Sequence, residues 1–278
     1  MFKVLRVGIQ TTIQDNGRFG YRKYGVPVSG CMDSYAATIA NRILGNELSY
    51  PLIEFAMLGP KLLVLEPCTI CITGPEVIAT INGEALTTYK EVFLTKGATL
   101  DIKQVRGGMR GYIAVKGGIS CRSVLESSSF YRELTSQNAI LKDTIITPAN
   151  KSKSVNKFLK HDTSYILSNK IEVSKGPEFD LLSKTTKEKL INWDFTISSQ
   201  SNRMAILLET KKTIKGGQII SSPVQPGTVQ LTPSGKLIVL MRDAQTTGGY
   251  YRILQLSENA INTISQKMPT SKIHILLK

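Results

Sequence analysis

The sequence predicts a mainly β fold, built as barrel or sandwich domains with a few short helices. Short apolar runs recur along the 278-residue chain, separated by Gly, Pro, Asn and Asp. Helical periodicity is confined to three short stretches. No run approaches the roughly 18 apolar residues that a membrane span needs, so none is expected.

Taken in order, residues 2–7 alternate as a first strand, and a long irregular loop follows over 11–33. Gly17, Gly20, Gly25, Gly30 and Pro27 break any regular period there, while interleaved Ile13, Phe19, Tyr21, Tyr24, Val26 and Met32 argue for order. The loop holds Gln14, Asp15, Arg18 and Ser29, groups that bind or turn over polar substrates, so it reads as a site loop. Asp33 suits the N-cap of a helix over 34–44, a role weighed equally with catalysis, and Gly45-Asn46 ends that helix. Strands are expected at 53–58, 62–65, 69–73 and 76–81, with Asn82-Gly83 as a hairpin turn into 85–89. Further strands are expected at 91–95, 99–103 and 112–116. Glu54 stands inside an apolar strand, either facing water or paired within a site. Arg110 and Tyr112 lead into a second glycine-bearing loop at Gly117-Gly118.

Periodicity fades over 120–169, and the polar stretch 151–157 places a domain boundary near 150, dividing the chain into 1–150 and 151–278. Gly74-Pro-Glu recurs as Gly176-Pro-Glu, a match of chance-level length that hints at duplicated halves. The second half then reads as a helix over 178–190 and strands at 194–198, 204–208, 228–231, 236–241 and 251–256. A short helix over 259–266 and a last strand at 272–277 complete it.

The formal net charge of +14 comes from lysines scattered among Ser, Thr and Asn, thickest between 151 and 189, which reads as solvated surface. No aromatic-basic interleaving accompanies it, so no nucleic-acid partner is expected. The first residues carry no apolar signal core, which gives a cytoplasmic protein as the expectation. Cys68 and Cys71 lie three apart on a strand and so point to opposite faces, while Cys31, Cys121, His161 and His274 stand alone. Neither a metal site nor a disulfide is expected from them.

The second half carries a counterpart to the site loop. Gln230 opens a tight Thr-Pro-Ser-Gly turn, and the next strand ends in Arg242-Asp-Ala-Gln-Thr-Thr-Gly-Gly-Tyr. Asp243, Gln245, Thr246 and Thr247 offer a carboxylate, an amide and two hydroxyls, and Gly248 and Gly249 would let backbone N–H groups approach an anion as in a nest. Composition alone also permits an ordinary polar hairpin. Gly25 and Gly30 have the spacing of a phosphate loop, but Cys31-Met32 stands where Lys-Ser/Thr is needed. No Gly-x-Ser-x-Gly elbow occurs, and two isolated histidines give a Ser-His-Asp mechanism no support. Chemistry must rest on carboxylates, Arg18, Arg110, Arg203 and backbone donors, a set suited to binding and polarising a carboxylate, phosphate or amide. The early and late glycine-rich segments are expected to fold toward one cleft.

These residues carry a family resemblance. Thr11-Thr-Ile-Gln-Asp-x-Gly-Arg-x-Gly, Gly25-Val-Pro-x-Ser-Gly, Met32-Asp, Ala40-Asn-Arg, Arg110-Gly-Tyr-Ile-Ala-Val-x-Gly-Gly-Ile, Ser201-Asn-Arg-Met, Gln230-x-x-Pro-Ser-Gly and Asp243-x-Gln-Thr-Thr-Gly-Gly-Tyr resemble the family of 5-oxoprolinase C subunits. The same family has been described as allophanate hydrolase subunit 2 and as a biotin-dependent carboxyltransferase domain. The resemblance implies two cyclophilin-like β-barrel subdomains. It also implies a component that acts with B-type and A-type subunits to open 5-oxoproline (pyroglutamate) to glutamate with ATP hydrolysis. ATP, with Mg2+, would then act at the level of the complex, and no biotin would be attached to this chain, which lacks Met-Lys-Met.

On that reading Asp15, Arg18 and Asp243 are the catalytic candidates, with Asp15 and Asp243 orienting substrate or binding a metal-nucleotide. The substrate-binding candidates are Gln14, Ser29, Glu54, Arg110, Tyr112, Arg203, Gln230, Gln245, Thr246, Thr247, Gly248, Gly249 and Tyr250. Asn202 and Ala205 replace the family's acid and glycine around Arg203, Val124-Leu-Glu-Ser-Ser-Ser replaces its Leu-Gly-Ser-Arg-Ser-Thr, and the following glycine-rich loop has become Ser136-Gln-Asn-Ala. Pro269-Thr270 stands where Pro-Gly is usual. The alternatives are a carboxyltransferase component of the allophanate hydrolase type and a catalytically weakened regulatory protein that antagonises a kinase-inhibitor partner.

Overall fold

The computed structural model describes residues 1–149, 161–210 and 214–278; the boundary expected near 150 and the polar stretch 151–157 lie outside the described residues. The chain forms two compact units, one made of Met1–Arg18 and Ser29–Thr163, the other of Phe19–Val28 and Ser164–Lys278. Both are mainly β.

The first unit contains β1 (Phe2–Arg6), β2 (Ile9–Gln14), β3 (Leu52–Ala56), β4 (Lys61–Val64), β5 (Cys68–Thr73), β6 (Glu76–Ile81), β7 (Glu84–Ala85), β8 (Val92–Leu94), β9 (Thr99–Arg106), β10 (Arg110–Val115), β11 (Ile119–Ser120) and β12 (Ile145–Pro148), with helix α1 at Ser34–Ile43. Two sheets result, ordered β11-β12-β1-β4-β9-β6-β7 and β2-β3-β10-β5-β8. Alternation decides how the smaller sheet packs. Ile13, Ile53, Phe55, Ile72 and Ile113 join Phe2, Leu62 and Leu100 of the larger sheet in one core. The intervening Leu52, Cys71, Tyr112 and Ala114 pack instead against Ala36, Ile39, Ala40 and Ile43 of α1. Each such aliphatic or aromatic side chain withdrawn from water contributes about 1.5–3 kcal/mol. The smaller sheet is therefore buried on both faces, and Glu54 within it cannot face water.

Asp33 caps α1, its Oδ1 accepting from Ala36 N at 3.0 Å. Asn82 (φ 50°) and Gly83 (φ 93°) form the expected hairpin turn, but the returning strand stops at Ala85 instead of reaching 89. Tyr89 has a left-handed φ of 58°, which no strand continues through. The loop expected over 11–33 starts only after Gln14, because Thr11 to Gln14 belong to β2.

The second unit contains α2 (Ser164–Leu167), β13 (Lys170–Lys175), α3 (Lys184–Asn192), β14 (Asp194–Ile197), β15 (Ala205–Glu209), β16 (Gln218–Pro223), β17 (Thr228–Leu231), β18 (Leu237–Leu240), β19 (Thr247–Leu256), α4 (Glu258–Ser265) and β20 (Lys272–Leu277). Its order is β13-β20-β14-β15-β18-β17-β19-β16, and β13 also pairs β19, so seven strands close into a barrel and β16 stays outside the ring. Alternate residues along the ring are buried, among them Phe195, Ile197, Ile206, Leu208, Val229, Leu231, Ile273 and Ile275. The long β19 serves two neighbours, pairing β16 near Gly248 and β13 near Leu254. The helix expected over 178–190 is interrupted: Phe179–Leu181 is a 3-10 turn, Leu182 is extended, and α3 starts after Ser183, whose side chain caps it. The sequence reading lacks β13 and β16, and β16 shows why, since its exposed residues carry no apolar alternation. No helix among the described residues is long and apolar enough to cross a membrane.

Candidate functional site

In the first unit the register of three strands lines up a polar row. Thr12 stands opposite Glu54, Glu54 opposite Tyr112, and Tyr112 opposite Thr73. The segment entering α1 lies on this row and uses it. Met32 N donates to Glu54 Oε2 at 2.8 Å, Asp33 N to the Tyr112 hydroxyl oxygen at 2.8 Å, and Thr73 Oγ1 to Ala36 O at 2.8 Å. Arg110, two residues before Tyr112 on the same face, donates to Glu54 Oε1 at 3.3 Å and to Gln10 Oε1 at 3.5 Å. Glu54 is therefore paired inside the fold. Burial, then Glu54, Asp33 and Cys31, push the Tyr112 phenol well above its ordinary pKa against the opposing pull of Arg110, so it stays protonated.

Ser29 heads this segment. It is fully buried with a left-handed φ of 57°, and its Oγ has no hydrogen-bond partner among the described residues. A buried hydroxyl without a partner on a strained backbone marks Ser29 as a candidate functional group. Gly30 follows because a Cβ there would sit 2.9 Å from the backbone of Asn16.

Asp15 and Arg18 do different work. Asp15 accepts from Ser127 Oγ (2.7 Å), Ser129 Oγ (2.6 Å), Ser128 N (2.6 Å) and Gly17 N (2.8 Å). Arg18 is fully buried and donates to Val124 O at 3.1 Å and to Ser129 O. Together they clamp the 124–129 segment, whose Leu125 and Glu126 are both left-handed. Gln14 Nε2 bonds Thr12 Oγ1 and Phe130 O on the same clamp. Asn41 and Asn46 likewise link α1 to the glycine loop: Asn46 bonds Asn41 Oδ1 and Val115 O, and Gly117 N donates to Asn46 Oδ1.

In the second unit Arg203 holds Asp243 through two bonds, Nε to Oδ2 at 2.8 Å and Nη2 to Oδ1 at 3.2 Å. Asn202 Oδ1 accepts from Met204 N and Ala205 N, so the missing family acid leaves Arg203 with its partner. Gly248 and Gly249 do not form a nest. Neither has a positive φ, and they run through β19 as ordinary strand. The requirement for glycine at 248 is steric, since a Cβ would lie 2.3 Å from Gln230 Nε2. That amide nitrogen is buried with no hydrogen-bond partner among the described residues. Thr247 to Tyr250 lie on β19 beside β16, and Gln245 and Thr246 are half-buried in the turn before it.

Ser29 and Gln230 thus offer one hydroxyl and one amide donor, each suited to an amide, lactam or carboxylate oxygen. Among the described residues no three His, Cys, Asp or Glu side chains gather as a metal set. With Asp15 and Asp243 both engaged, these carboxylates do not fit a resident metal-nucleotide. The sequence reading missed the Glu178–Arg252 pair, at 2.6 and 2.9 Å, although the recurring Gly-Pro-Glu pointed to its acid.

A family model described as carboxyltransferase domain, subdomain A and B, matches residues 24–276. The Escherichia coli protein named as the C subunit of 5-oxoprolinase is 32% identical over 99% of this chain and 91% of its own length. The crystal structure of TTHA0988 superposes with a TM-score of 0.88 at 26% identity, covering 99% of this chain and 55% of that one. The Kluyveromyces lactis urea amidolyase structure matches with a TM-score of 0.87 at 26% identity, over 99% of this chain and 18% of that one.

Proposed function

Because the chain belongs to the carboxyltransferase-domain family, subdomains A and B, we propose that it is the C component of an ATP-dependent 5-oxoprolinase. In this reading it acts with B-type and A-type partner proteins to hydrolyse the lactam of 5-oxoproline to glutamate. The observation that carries the reading is the match to the Escherichia coli 5-oxoprolinase component along nearly the whole of both chains. A lactam is a poor electrophile, and phosphorylating its oxygen creates a leaving group, a step that needs donors around developing negative charge. Each unit has its own proposed donor: Ser29 in the first, on a segment held by Glu54, Arg110 and Tyr112, and Gln230 in the second, where Gly248 makes room for it. Arg203, Asp243 and the 245–250 stretch line the proposed approach in the second unit. ATP and Mg2+ act at the level of the complex.

Reconstitution with the A-type and B-type partners tests this. The complex should hydrolyse ATP only when 5-oxoproline is present, and Gln230→Ala should lower turnover by about 10²-fold. Silence in a mixture where the Escherichia coli C component is active would sink the assignment. The urea amidolyase likeness favours a second reading, carboxyl transfer to an amide from biotin carried on another protein. That reading requires a biotinylated carrier in the assay, whereas the first does not.

A further inference from the structure

We propose that the second unit carries an oxyanion-binding pocket built by Arg22, Lys175 and Arg252, which takes a small phosphate or carboxylate group. All three cations line one cavity of about 270 Å³, whose walls include Pro177, Pro223 and Leu254. Arg252 is the fixed member. Its Nε and Nη2 bond Glu178 at 2.9 and 2.6 Å, and its Nη1 bonds Pro223 O at 3.0 Å. Glu178 is fully occupied by that guanidinium and the Arg252 backbone N–H, at 2.9 Å. Arg22 and Lys175 therefore leave two positive charges unanswered.

Arg22 sits in the 3-10 turn Arg22–Tyr24, half-buried, and its guanidinium makes no hydrogen bond or ion pair among the described residues. Burial lowers its pKa, the mark of a cation with too little solvent and no counter-charge. Lys175 stands 5.3 Å from the Phe179 ring, which orients the ammonium without neutralising it. A planar guanidinium with free donors matches the two oxygens of a carboxylate or phosphate. Arg252 is the register partner of Gln230 on the neighbouring strand, although Gln230 does not line the pocket. The assignment does not depend on the lactam reaction.

Calorimetric titration of the full chain in low-salt chloride buffer, with inorganic phosphate in one arm and glutarate in the other, decides it. Saturable binding in the phosphate arm identifies a phosphate group as the occupant, and in the glutarate arm a carboxylate. Arg22→Ala should weaken the binding by at least about tenfold. Lys175→Ala, at an exposed position that leaves the fold intact, should weaken it in the same direction. The proposal is overturned by silence in both arms up to roughly 10 mM, about ten times a weak millimolar Kd, or by wild-type affinity in both folded variants.

Discussion

Glu54 and Arg110 are almost wholly withdrawn from water, with side-chain exposures of 0% and 2%. Desolvating both ions is unfavourable, and the bonds from Met32 N to Glu54 and from Arg110 to Gln10 help to offset it. Removing one partner should cost about 3–5 kcal/mol, and Arg110→Ala measured by denaturant unfolding checks this. The double change Glu54→Leu with Arg110→Met should regain most of the loss. Glu178 gives a pH test. The hydrogen bond from Arg252 holds its carboxyl below the ordinary 4.5, outweighing burial. A depressed folded value means the stabilisation is complete above 4.5 and is lost as pH falls through the lower folded value. Acid unfolding curves of Glu178→Gln should lack that component, and an unchanged profile would refute the pairing. Of these residues, Glu54 and Arg110 stood out in the sequence because charge inside an apolar run is conspicuous. What holds Asp15 was illegible, since its serine partners lie more than a hundred residues away and no local pattern announces them.

At the scale of elements, the short Gly-Pro-Glu recurrence turns out to mark one construction used twice. Gly74 ends β5 and approaches the carbonyl oxygen of Arg110, where a Cβ would lie 2.7 Å away; Gly176 ends β13 and approaches that of Arg252, at 2.2 Å. Thr73 pairs Tyr112 and Lys175 pairs Leu254, so the glycine stands in the same register to its arginine in both units. Each arginine also binds a glutamate, but only Arg252 takes the acid of its own Gly-Pro-Glu, Glu178; Arg110 takes Glu54 from β3. Gly176→Ala and Gly74→Ala should each destabilise the chain by about 1–3 kcal/mol through forced backbone shifts, visible as lowered melting temperatures. Gly97→Ala, with φ 85° and nothing within 4 Å of a Cβ, measures the left-handed backbone cost without steric contact. The β-rich class, the cap at Asp33 and the Asn82-Gly83 turn were readable because each depends on neighbours in sequence. β16 was not, because an outlying strand exposed along its length has no buried face to print a pattern.

For the whole molecule, the +14 charge has no internal acid to balance it and fits association with an acidic partner. If a B-type protein is that partner, association should slow as ionic strength rises, in stopped-flow mixing at low and high salt. A salt-independent rate would remove charge as the guide. At this scale the sequence is least legible, since no composition shift reveals that Phe19–Val28 joins the later half. That loan has a practical meaning. A gene fragment beginning at Ser164 would express a body short of one piece, Arg22 included. On the ribosome, the same piece emerges more than a hundred residues ahead of Ser164, where the rest of its unit begins.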